Sequence, residues 1–99
     1  AARELAASGL LPAGTYSNRD YATPCVSFDR GVPPVLQDLL YDPQTSGGLL
    51  ISAPHDHLDP LLTALKKRDV AAAVIGTVTP GSSGTITVIH SAPDITFNP

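Results

Sequence analysis

One segment restricts the fold of this chain more than any other: an amphipathic helix set between two apolar stretches. Leu58, Leu61, Leu62 and Leu65 keep the i, i+3, i+4, i+7 spacing of a single apolar stripe. Acids stand at its start and Lys66, Lys67 and Arg68 at its end, the order that the helix dipole favours. Asp56 is the expected N-cap, with Asp59 in a capping-box-like position. Before the helix, residues 49–53 barely alternate, as in a strand buried on both faces, and Pro54 closes the run. After it, residues 73–78 read as a second strand. Neither a striped helix nor an apolar strand can bury its surface alone, so a layered arrangement is required. The expected class is α+β: a mixed β-sheet with packed helices, an α/β sandwich.

The rest of the chain fills in around this segment. Residues 85–90 are rich in β-branched side chains and are expected to form a hairpin with residues 73–78 across a turn at 80–84. Residues 1–8 have helix-forming composition without a start signal, Gly9 suits the position just past a helix end, and Pro12 stops it. They read as the last turns of a helix begun upstream, so the domain is expected to be incomplete at its N-terminus. Residues 12–34 are expected to be mostly irregular, turn-prone over 14–20, with a short extended piece at 25–28. Pro33-Pro34 opens a brief helix over 35–40, with Leu36, Leu39 and Leu40 on one face. Ten prolines and eight glycines suit such short, loop-joined elements. Residues 1–90 are expected to make one unit, and residues 91–99 a loosely held tail.

Charge and cysteine content exclude several classes. The net charge of −3 gives no basic footprint for nucleic acid. No apolar run reaches the ~20 residues of a membrane helix. A lone Cys25 makes no internal disulfide, so a reducing cytosol is the expected compartment and the cysteine a small, at least half-buried residue. His55-Asp56-His57 is tempting as a metal site, but the two imidazoles diverge at a helix start, and a solvated helix start explains them better. No Ser-His-Asp spacing supports a nucleophile, and the Lys66-Lys67-Arg68 run is a helix end first and a phosphate contact a distant second.

One loop carries a chemical signal. In Thr45-Ser46-Gly47-Gly48 two hydroxyls can donate to phosphate oxygens, and adjacent glycines let backbone approach a ligand, take positive φ and form an anion nest. A plain glycine turn entering a strand is the competing explanation, and the spacing and lysine of a Walker loop are missing. The wider run Asp42-Pro43-Gln44-Thr45-Ser46-Gly47-Gly48-Leu49-Leu50, followed by Ile51-Ser52, resembles the late D-P-Q-T-S-G-G-L-L element of selenophosphate synthetases (selenide, water dikinases). Upstream, Gly14-Thr15-Tyr16-Ser17-Asn18 looks like the family's G-T-x-x-N segment, with Ala13 where another glycine is usual. Downstream, Ile75-Gly76-Thr77-Val78 looks like its closing I-G-x-V strand. The likeness covers about nine-tenths of the chain, to about residue 89.

The resemblance implies a C-terminal part of an enzyme that makes selenophosphate from ATP, selenide and water, releasing AMP and phosphate with Mg²⁺. It implies a fold similar to the C-terminal domain of the aminoimidazole ribonucleotide synthetase superfamily, a cytoplasmic homodimeric parent, and catalytic and metal-holding residues in the N-terminal half. No catalytic or metal residue is therefore assigned in this chain. Thr45, Ser46, Gly47 and Gly48, with Asn18, are carried over as a substrate- or phosphate-pocket wall. Alone the chain is expected to be inactive. Two alternatives stay open: another ATP-dependent kinase or synthase of the superfamily, and a non-enzymatic binding module.

Overall fold

The computed structural model describes residues 1–90, which fall into two compact units. The first joins Ala1–Gly47 to residues 80–90, and the second is Gly48–Thr79.

The first unit contains helices α1 (Ala2–Ala7), α2 (Ala13–Ala22) and α3 (Pro34–Leu40) and strands β1 (Val26–Phe28) and β2 (Ile86–Val88). Helix α1 closes as the composition predicts. Gly9 takes φ 78°, its N–H donates to the Ala6 carbonyl, and the Leu10 N–H reaches back to Leu5, a Schellman ending. Helix α3 opens on Pro34, whose missing N–H costs nothing in a first turn. It packs on both α1 and α2. Ala6, Val32 and Tyr41 are buried, Thr15 is wholly so, and the Tyr41 ring meets Phe28 of β1 edge-on at 5.8 Å.

Helix α2 corrects the expectation of an irregular stretch. Glycine, serine and asparagine are poor helix formers, but tertiary contacts override that weak preference. Thr15 is fully buried, and Arg19 forms an ion pair with Asp38 of α3 while lying 5.4 Å from the Tyr16 ring. Pro12 supplies the extended residue before the helix, and its carbonyl accepts from Thr15 N–H at 3.0 Å.

The sheet differs from expectation in three respects. Residues 49–53 and 73–78 form no strand, since a strand needs a partner to complete its hydrogen-bond ladder. The hairpin is therefore absent. The 85–90 stretch forms a shorter strand, β2, which pairs parallel with β1 in the register Val26↔Ile86, Ser27↔Thr87 and Phe28↔Val88. Among the described residues the sheet is thus two-stranded and parallel, not mixed, within an α+β chain. The Ile86 N–H donates to the Cys25 carbonyl and Asp29 N–H to the Val88 carbonyl, each at 2.8 Å, so the pairing extends past the ends of β1. Cys25 itself is exposed, not half-buried, because its place at the α2–β1 turn engages only its backbone.

The second unit is built on α4 (Leu58–Lys67), preceded by a 3-10 turn at His55–His57. Leu58, Leu61, Leu62 and Leu65 are its half-buried residues, the stripe that the spacing predicts. Asp56 is not the N-cap: the 3-10 turn moves that position to His57, which makes no side-chain cap, and leaves Asp56 inside the turn. The helix ends in a second Schellman arrangement, Asp69 N–H to Lys66 and Val70 N–H to Leu65, with Asp69 at φ 57°. The tail expected at 91–99 lies outside the described residues.

Candidate functional site: the 45–48 loop and the helix that holds it

The loop begins four residues beyond α3, after Tyr41, Asp42, Pro43 and Gln44. Thr45, Ser46, Gly47 and Gly48 are all exposed, with Thr45 and Ser46 forming the turn. Both hydroxyl-bearing residues thus lie at the surface. Neither Gly47 nor Gly48 has a positive φ, so the anticipated left-handed nest is not formed here. Gly47 matters for space instead: a Cβ there would lie 2.7 Å from Gln44 Oε1. Gly48 opens the second unit, and a Cβ on it meets nothing within 4 Å.

Asn18 stands on α2, and its Nδ2 donates to the Tyr41 carbonyl at 2.9 Å. Gly14, one helical turn earlier, faces Pro43: a Cβ at Gly14 would sit 2.9 Å from Pro43 Cγ and 3.2 Å from its Cβ. The two sequence motifs singled out above, Gly14 to Asn18 and the run from Asp42, therefore meet in space. Sequence reasoning found both but missed their contact and the roles of Gly14, Pro43 and Tyr41. A glycine and an asparagine four apart mark one helix face only once the segment is known to be helical.

The other sequence candidates gather no constellation. Among the described residues no three His, Cys, Asp or Glu side chains come together, so these residues do not fit a magnesium site. Nε2 of His57 lies 3.9 Å from the Asp56 carboxylate, with both side chains largely exposed. His90 packs its Cβ against Gly31 at the edge of an open apolar hollow of about 250 Å³ between α3 and β2. That hollow offers little polar chemistry beyond the imidazole. No helix among the described residues is long and apolar enough to cross a membrane.

Comparison with known proteins gives the chain its place. Residues 5–89 match the family described as AIR synthase related protein, C-terminal domain. The chain is 46% identical over 78 residues to a selenide, water dikinase of Pelobacter propionicus, which covers 78% of this chain and 22% of the relative. It is 40% identical over 87 residues to the selenide, water dikinase of Clostridioides difficile, covering 87% of this chain and 25% of that protein. Selenide, water dikinase 2 of Peptoclostridium acidaminophilum is 40% identical over 89 residues, 89% of this chain and 25% of its own length. The chain thus spans about a quarter or less of these curated relatives. No solved structure matches. Identity at this level over most of the chain, and a family match running from Leu5 to Ile89, agree with the motif at residues 42–50: the chain belongs to the AIR synthase related C-terminal domain family and is similar, over that domain, to proteins named selenide, water dikinase.

Proposed function

We propose that the protein containing this chain is a selenide, water dikinase, which converts ATP, selenide and water to selenophosphate, AMP and phosphate. The identity of 40–46% to three proteins of that name carries the reading. In this proposal Thr45 and Ser46 donate hydrogen bonds to a phosphate or phosphoryl oxygen, while Gly47 and Gly48 let the backbone come close. Neutral donors orient such a group but do not neutralise it, and phosphoryl transfer needs both. Neutralisation therefore falls to Mg²⁺, held by acidic residues, and to cationic residues, all outside this chain in the proposal. Cytoplasmic location and a homodimer joined outside these residues belong to the same proposal.

The test is selenide-dependent release of AMP from ATP by the whole protein. Formation of ADP on a different acceptor would replace the reading with that of another kinase of the superfamily. The chain alone is expected to be inactive in the same assay, because the described residues bring no metal-holding set together.

A further inference from the structure

Between the last residue of α3 and the first hydroxyl of the loop lie four residues, and α2 holds two of them. Asn18 fixes the Tyr41 carbonyl at 2.9 Å, and Gly14 leaves no room between its own backbone and the Pro43 ring. These anchors sit on one face of α2, four residues apart. The frame behind them is stiff: Arg19 pairs with Asp38, Thr15 is fully buried, and the Tyr41 ring is buried against Phe28. The restraint continues forward. The Gln44 N–H donates to the Asp42 carbonyl at 2.8 Å, and the Gln44 side chain lies against Gly47. An exposed loop can present hydroxyls accurately only if its entrance is held by rigid elements.

We infer that Gly14 and Asn18 are positioning residues for Thr45 and Ser46, acting through Pro43 and Tyr41 and not on the ligand. The inference rests on the function proposed above. Asn18 serves as a donor, since the Tyr41 carbonyl can only accept. Gly14 serves by absence, since a proline ring is rigid and cannot swing away from an added methyl.

The experiment is a coupling analysis in the whole enzyme, with kcat and KM for ATP read from selenide-dependent AMP release. Asn18→Asp and Gly14→Ala are each expected to lower kcat roughly ten- to a hundredfold, as misplacement of a positioning group does, with a smaller change in KM. Pro43→Ala added to Gly14→Ala removes the ring atom nearest the new methyl but leaves the Pro43 Cβ position 3.2 Å away, so it is expected to restore part of the rate. In a Thr45→Val/Ser46→Ala background, Asn18→Asp is expected to cost less than about threefold more, because the groups it positions are gone. A merely structural role would lower thermal stability and multiply its loss in either background. Multiplicative losses, or failure of Pro43→Ala to rescue, overturn the positioning inference alone. A Thr45→Val/Ser46→Ala enzyme with unchanged kcat/KM overturns the proposed role of the hydroxyls and the inference with it. If Gly14→Ala does not fold, Asn18→Asp carries the comparison.

Discussion

Asp69 occupies the position just past the C-cap of α4 at φ 57°, where Gly9 does the same for α1 at φ 78°. A Cβ in the left-handed region crowds the following carbonyl, and a carboxylate there faces the negative end of the helix. Asp69→Gly removes both penalties, partly offset by the freedom glycine adds to the unfolded chain. It is expected to stabilise the chain by about 1 kcal/mol, read as a higher urea midpoint. A lower midpoint would mean that the carboxylate makes a compensating contact. Thr15 presents a second cost, because its Oγ1 is buried without a hydrogen-bond partner. Thr15→Val keeps the shape and removes the orphan hydroxyl, so a gain of about 1 kcal/mol is expected by thermal unfolding. Destabilisation would instead indicate a water bound to that oxygen. Such residues set the limit of what the sequence discloses locally. Gly9 is legible because glycine announces its conformation, whereas Asp69 is not, since aspartate enters that conformation only when the helix before it demands it.

Among the elements, α4 was the most readable, because its stripe of leucines states both its period and its buried face. That burial is partial, which bounds its energetic weight. Leu61→Ala is expected to cost about 1 kcal/mol, below the ~2–5 kcal/mol of a fully buried leucine. A loss in that higher range, measured by chemical denaturation, would show the stripe to be covered in solution. Helix α1 and helix α3 were legible for similar local reasons: composition, a terminating glycine, and a proline at the first turn. Helix α2 was hidden because its order depends on Asp38, Tyr41 and Pro43, residues roughly twenty or more positions later. Residues 49–53 and 73–78 misled for the opposite reason. Their apolar composition favours extension, but composition does not supply the neighbouring strand that converts an extended segment into a sheet. The loop motif was legible by family likeness. Its support by α2 was not, because a glycine in a polar stretch points to a turn as readily as to a close contact.

At the scale of the whole molecule, the described residues leave much apolar surface uncovered: Leu49 is 91% exposed, Leu50 82% and Ile75 78%. Exposed apolar side chains promote association between copies in solution where they adjoin one another. Leu49→Lys and Ile75→Lys are expected to change stability by no more than about 0.5 kcal/mol and to raise the solubility of the chain. A marked drop in melting temperature would mean that these side chains are covered in solution. The pairing of β1 with β2 has a different consequence, which concerns timing. Residues sixty positions apart must meet, as in the Ser27 to Thr87 hydroxyl contact. Long-range contacts of this sort slow folding, because the loop between them must close before the pairing rewards it. During synthesis β1 leaves the ribosome well before its partner exists, so the sheet of the first unit closes only after the whole second unit has been made. A pause or break in translation inside α4 would therefore leave β1 as an open edge, and the helices on either side of it would have to hold the nascent unit together alone.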